Sequence, residues 1–153
     1  CSVGSIIRSV YKRFTTLVNQ KGIELKVEIP EEELLASVDK EALTKILSNL
    51  FTNALKYAQT YAYLSLSVDE AGKEFTIVMS NDGKIIPIEM RENIFRPFVQ
   101  YRDGKDIVPG TGIGLALARS LAELHQGTLT MDQDMECNRF ILSIPIRHQT
   151  ASV

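Results

Sequence analysis

Residues 41–58 read EALTKILSNLFTNALKYA, and the fold turns on whether they make a helix. At roughly 100° per residue, Leu43, Ile46, Leu47, Leu50 and Ala54 form one apolar arc, and Asn49, Asn53, Lys56 and Tyr57 fall within about a third of the circumference beside it. Two amides, an ammonium and an aromatic ring therefore point one way. Alone, such a face meets only water. Two glycine-bearing turns further along the chain give it more meaning.

Upstream of this helix, Ile6, Ile7, Val10, Phe14, Leu17 and Val18 recur at helical spacing, which predicts an amphipathic first helix over 6–18, ended by Gly22. Ile23, Leu25, Val27 and Ile29 alternate with Glu24, Lys26 and Glu28, the period of a strand with one wet face, and Pro30 stops it. Asp39 is suited to cap the helix that follows. Downstream, Ala62, Leu64, Leu66 and Val68 share one face of a strand over 61–68. Phe75, Ile77 and Met79 do the same after the turn at Ala71 and Gly72, so an antiparallel hairpin is expected.

The second hairpin strand runs into Asn81, Asp82 and Gly83, a turn at a strand end, where ligand-binding backbone is common. Residues 87–93 are expected as a short helix and 99–109, polar and without periodicity, as a mobile loop. Gly110, Thr111, Gly112, Ile113 and Gly114 then open a helix whose apolar face is Leu115, Leu117, Ala118, Leu121, Ala122 and Leu124, closed by Gly127. Residues 128–131 and 140–146 finish as paired strands. The expected fold is a two-layer α/β sandwich, a mixed β-sheet with helices on one face, forming a single domain over 1–153 with its core at about 5–146.

The composition is that of a folded globular domain: 153 residues, 44% hydrophobic and 24% charged, with no apolar run of membrane length. With 17 basic and 19 acidic residues, the chain has no sign of a nucleic-acid surface, so any polyanion is expected to bind locally. Cys1 and Cys137 are the only cysteines, which suggests neither a disulfide framework nor a zinc cluster and fits a reducing, cytoplasmic setting. The chain opens on Cys1 and reads as helix almost at once, so an excised piece of a larger protein is expected.

A glycine-rich turn that opens a helix suits phosphate, because the backbone can be approached closely and the first N–H groups are free and positively polarised. Here the glycines do not space as a dinucleotide fingerprint, and no Walker lysine follows them. The cation for a phosphate must come from Lys56, or from Arg102 and Lys105 of the loop. His125 is expected to cap the last helix and His148 lies in the tail, so neither reads as a phosphoacceptor.

Together these stretches resemble a known family. NLFTNALKYA is similar to the asparagine box of the histidine-kinase ATP-binding domain, NDGKIIP to its first glycine box, IFRPF to its phenylalanine box and GTGIGLALA to its second glycine box, in the same order and spacing. The resemblance covers about Ser5 to Ile146 and implies a Bergerat-type fold that binds ATP and Mg2+. It is closest to sensor kinases of two-component systems, including hybrid ones.

By matching position, the resemblance implies that Asn53 ligates magnesium, that Asn49 faces the same phosphates, that Lys56 neutralises their charge and that Tyr57 packs on adenine. Asn81, Asp82, Gly83 and Ile86 would border the base. Residues 99–109 would form a lid hinged at Phe98 and Gly110, with Arg102 closing on the nucleotide. Gly110, Thr111, Gly112, Ile113, Gly114 and Leu115 would carry the phosphate turn into its helix. The implied partners are the dimerisation helices with their phosphoacceptor histidine and a response regulator. Neither nucleic acid nor direct membrane contact is expected, and the domain would be the cytoplasmic portion of a membrane-anchored sensor.

The chain departs from the family at the first glycine box. The aspartate that accepts the adenine amino hydrogen is Asn81 here, and a glycine position is Ile85. Asparagine can accept through its oxygen, but it is uncharged and can present its NH2 instead. That leaves a degenerate nucleotide-sensing or interaction module as the alternative function. An ATP-hydrolysing clamp ranks lower, because the glutamate that such relatives place one turn before the magnesium asparagine is Asn49 here.

Overall fold

The computed structural model describes residues 1–97, 114–132 and 136–147. The first helix, α1 (Val3–Lys21), begins earlier than its apolar spacing predicts because the Ser2 hydroxyl caps it, accepting from the Ser5 N–H at 3.3 Å. It ends as expected at Gly22, which takes the left-handed conformation with φ 65°. Strand β1 (Glu24–Glu28) follows. Its apolar residues Leu25 and Val27 are only half-buried, since β1 is an edge strand.

Helix α2 (Lys40–Tyr57) is capped by Asp39, whose carboxylate accepts from the Glu41 N–H at 2.9 Å. The arc Leu43, Ile46, Leu47, Leu50 and Ala54 is buried as read, but Phe51 and Leu55 are buried too. The cause is tertiary: α1 covers that flank, stacking Phe14 on Phe51 at 5.4 Å between ring centroids, while Val18 and Ile23 close over Leu55.

Strands β2 (Tyr61–Val68) and β3 (Glu74–Asn81) form the hairpin, turned at Gly72 and fastened by the Asp69 carboxylate, which accepts the Lys73 N–H at 2.7 Å. Beyond β3, helix α3 (Gly114–Leu124), β4 (Thr128–Met131) and β5 (Asn138–Pro145) follow. The sheet order is β1-β2-β3-β5-β4. β1 and β2 run parallel, which requires the α2 crossover, and the other pairs are antiparallel. Ala62, Leu64, Phe75, Ile77, Met79, Phe140, Leu142 and Ile144 alternate onto one face and are buried beneath the helices. The mixed two-layer sandwich expected from the sequence is the observed architecture.

Two local expectations give way. The short helix at 87–93 is instead a pair of 3₁₀ turns, Ile88–Met90 and Asn93–Phe95, because this segment is fastened from outside rather than by its own ladder. Arg119 of α3 lies over the Phe95 ring at 3.9 Å and pairs with Glu92, whose carboxyl is held below its usual range by that guanidinium. At the end of α3 the left-handed residue is Gln126 (φ 61°), not Gly127. Gly127 is a glycine for another reason: a Cβ there would strike the Ser143 carbonyl of β5.

A non-glycine residue in the left-handed region is strained by roughly 1–2 kcal/mol. Gln126→Gly is therefore expected to stabilise the chain by about 0.5–1 kcal/mol, the gain being reduced by the greater freedom of glycine in the unfolded state. A higher urea midpoint with an unchanged slope would record it.

Candidate functional site

The amide strip of α2 sits where Gly83 and Gly114 arrive. Asn49, Asn53, Lys56 and Tyr57 are all half-buried, in a row along the helix flank left open between its buried faces. Among the described residues, no hydrogen bond engages the side chain of Asn49 or Asn53. Lys56 Nζ lies 5.6 Å from the centre of the Tyr57 ring. Burial lowers the Lys56 pKa and raises that of the Tyr57 hydroxyl. A partly desolvated ammonium gains more from a nearby anion than one in open water does.

The first glycine turn reaches the C-terminal end of this strip. A Cβ on Gly83 would collide with the Tyr57 carbonyl and lie 2.8 Å from Asn81 Oδ1, so only glycine allows the turn to press against α2. The start of α3 meets the strip at its other end. At Gly114, the first residue of α3, a Cβ would stand 3.0 Å from Asn49 Oδ1. Two segments far apart in sequence thus converge on one helix face, and glycine is what lets each come close.

Asn81, at the end of β3, is 1% exposed. Its Oδ1 accepts from the Gly83 N–H at 2.9 Å and from Asn138 Nδ2 at 3.4 Å, while its own Nδ2 is buried without a partner. Asn138, paired with Asn81 in the β3–β5 register, also donates to the Lys84 carbonyl at 2.8 Å and accepts from the Ile86 N–H at 2.9 Å. It is the scaffold of this turn. Nothing in the sequence marked it, since an asparagine at the mouth of a loop is ordinary. Arg91, likewise unmarked, is 5% exposed and donates through Nε to the Ile86 carbonyl at 3.2 Å.

Asp82, implied to border the base, has a structural task. Its carboxylate accepts from the backbone N–H groups of Gln59, Thr60 and Tyr61 at 2.9, 2.9 and 3.1 Å, and from the Thr60 hydroxyl. Desolvation pushes its pKa up, but these bonds outweigh it and hold the group at about 2. Asp82 ties the turn to the α2–β2 connection. The folded pKa lies below the ordinary 3.8, so this stabilisation is complete above pH 3.8 and is lost as pH falls through about 2. With the discount for solvent screening, Asp82→Asn is expected to cost about 1 kcal/mol at pH 7 and almost nothing at pH 2, measured by urea unfolding at both.

Ile86 is a core residue, 3% exposed, and contributes its backbone N–H to the turn. Leu115 is half-buried and packs on the core. Ile85 is not among the residues with positive φ, so its backbone tolerates the side chain. His125 caps α3 as expected, bonding the Leu121 carbonyl through Nδ1 at 2.8 Å, and its Nε2 also accepts the Asp39 N–H at 3.3 Å. The candidates Phe98, Arg102, Gly110, Thr111, Gly112 and Ile113, together with Lys105 and His148, lie outside the described residues.

A mixed sheet with helices on one face, and Gly83 and Gly114 converging on a helix that carries two asparagines, define the class. The chain belongs to the family described as "Histidine kinase-, DNA gyrase B-, and HSP90-like ATPase", whose profile matches residues 38–148. Within it the similarity is to sensor kinases. The chain is 33% identical over 112 residues to the probable sensor kinase SilS of Salmonella typhimurium, covering 72% of this chain and 22% of that one. It is 32% identical over 132 residues to the sensor histidine kinase TmoS of Ectopseudomonas mendocina, covering 84% and 13%. The nucleotide-free catalytic domain of the histidine kinase ThkA has the same fold, with a TM-score of 0.80 at 25% identity over 95% of each chain. The chain thus spans less than a quarter of the length of these two curated relatives.

Proposed function

We propose that this domain binds magnesium-bound ATP and presents its γ-phosphoryl group to a histidine on separate dimerisation helices of its parent sensor, from which it passes to a response regulator. The observation that carries the reading is the convergence of Gly83 on Tyr57 and of Gly114 on Asn49, which frames the half-buried amide strip from both ends. In this reading the base lies at the Asn81 and Tyr57 end and the phosphates lie along Asn49, Asn53 and the start of α3.

The residues suit such a ligand. Asn53 offers a side-chain oxygen with no hydrogen-bond partner among the described residues, and magnesium is commonly held by one or two protein oxygens with phosphate and water completing its shell. The metal would supply charge neutralisation at the phosphates. Lys56, partly desolvated, supplies a second positive charge, and the free N–H groups at the start of α3 a third. The domain's contribution is positioning and charge; the imidazole that attacks belongs to another part of the parent. Asn49 has no basic site with which to activate water, which disfavours a hydrolytic clamp. No helix of the described residues is long and apolar enough to cross a membrane; a parent anchored in a membrane with this domain on the cytoplasmic side completes the proposal.

Labelled ATP incubated with the full-length parent should place label on histidine, and Asn53→Ala should remove it. Absence of magnesium-dependent nucleotide binding by the natural chain would refute the reading.

A further inference from the structure

The face of the sheet turned away from the helices carries a groove that the nucleotide site does not use. In the strand register, Lys26 of β1 stands opposite Tyr63 of β2, Tyr63 opposite Ser80 of β3, and Ser80 opposite Arg139 of β5. These four residues share one row on the open face, because they alternate with the buried Ala62, Leu64, Met79 and Phe140. Tyr61 lies on the same face of β2, and the Cys137 thiol lies beside Arg139, with Sγ 3.7 Å from Nη2. Together they line a groove of about 470 Å³, within the size range of small-molecule sites.

Ser80 marks this groove as a site. An open-face position is ordinarily wet, yet Ser80 is only 7% exposed, because Tyr63 and Arg139 flank it on the neighbouring strands. Its hydroxyl makes no hydrogen bond among the described residues. Further along the same face, Thr76 and Ser143 show the usual solution, their hydroxyls pairing with each other at 3.2 Å. A buried hydroxyl requires a partner, and the groove is the side from which one can arrive.

The walls around Ser80 are already ordered. Tyr63 is pinned, its hydroxyl donating to Glu28 and its ring centre 5.5 Å from Lys26 Nζ. Arg139 is pinned by Asp132, which accepts from Nη1 at 2.9 Å. The groove is also polarised. Ser80 and Arg139 occupy its β3 and β5 end and the two tyrosines its middle on β2. Glu24, the one carboxylate among the described residues of the lining, sits on β1 at the far end. Three strand spacings, roughly 14 Å, separate β1 from β5.

The geometry points to a second ligand site here, for a small planar aromatic carboxylate. Its ring lies against Tyr61 and Tyr63, and its carboxylate accepts from the Ser80 hydroxyl and, in a charge-assisted bond, from Arg139. A guanidinium carries five donors, so Arg139 can hold Asp132 and a ligand carboxylate together. A neutral ligand forgoes the charge-assisted bond, and a cation meets like charge at Arg139. The groove is on the opposite side of the sheet from α2, so this site stands or falls separately from nucleotide binding.

Naphthoate is the probe, with naphthamide as its uncharged isostere. Titrated into the chain and followed by backbone amide shifts, naphthoate should move Tyr61, Tyr63, Ser80 and Arg139 and leave Asn53 and Gly114 in place. Naphthamide should bind about tenfold more weakly, the scale of one charge-assisted bond. Ser80→Ala breaks no hydrogen bond in the fold, so it should weaken naphthoate about fivefold while thermal unfolding is unchanged. The absence of shifts at millimolar naphthoate, or shifts centred on Asn53 and Gly114, would overturn the inference. Equal affinity for naphthoate and naphthamide would overturn it too, as would equal affinity of the natural chain and Ser80→Ala for naphthoate. None of these results touches the nucleotide reading.

Discussion

Asn53→Ala should leave the fold intact and reduce magnesium-dependent nucleotide binding by about one to two orders of magnitude, the range typical for loss of a group that fixes a metal. The prediction follows from what Asn53 does and does not touch. It is half-buried on the exposed flank of α2 and has no hydrogen bond to the rest of the described residues, so alanine breaks no internal contact and improves helix propensity. Its neighbours Ala54 and Leu50 carry the packing. The discriminating experiment titrates nucleotide with magnesium and again with chelator. In the natural chain the two curves should separate widely; in the variant they should nearly coincide, while thermal unfolding without ligand stays within about 0.5 kcal/mol of the natural chain. A variant that bound magnesium and nucleotide as well as the natural chain would remove Asn53 from the site.

Gly83→Ala should act in the opposite way, through the fold. The added methyl meets the backbone carbonyl of Tyr57 and the anchored amide of Asn81, neither of which can rotate aside as a long side chain would. Either the turn at 81–84 lifts from α2 or the last turn of α2 frays. A clash against fixed backbone in a packed site costs about 2–4 kcal/mol. The loss should also spread locally: the Asp82 bonds to Gln59, Thr60 and Tyr61 and the Asn138 bond to Ile86 depend on the same turn. Amide exchange at Thr60, Tyr61 and Ile86 should therefore accelerate before the centre of the sheet does. Unchanged stability would show that the turn has room that its contacts do not suggest.

The two substitutions separate what the residues are for. Asn53 is expected to be dispensable to folding because its amide has no hydrogen bond among the described residues to lose. Gly83 is indispensable because two backbone segments meet where its side chain would be.

Much of this was legible from residue order alone. Period-2 alternation located β1, β2 and β3, and 3.6-residue periodicity located α1 and α2, because burial on one side imposes those spacings directly. The amide strip was legible for the same reason, since angular position on a helix follows from residue number. What could not be read was anything set by a partner distant in sequence. Phe51 and Leu55 are buried because α1 and Ile23 cover them. Residues 88–95 form 3₁₀ turns because Arg119 fastens them from α3. Gln126 accepts a left-handed backbone so that Gly127 can pass the Ser143 carbonyl.

The same division runs through the site. The sequence by itself determined the two-layer architecture and the family resemblance, singled out Asn53 as a candidate, and marked Asn81 as a departure. Only the tertiary structure decided which end of the Asn81 amide is available, because that depends on Gly83 and Asn138 both donating to its oxygen. It also made Asp82 a fastener, since the backbone N–H groups of Gln59, Thr60 and Tyr61 meet at its carboxylate. Periodicity records which side of an element faces inward. Where a hydrogen bond goes depends on which backbone arrives beside it, and that is decided only when the chain has folded.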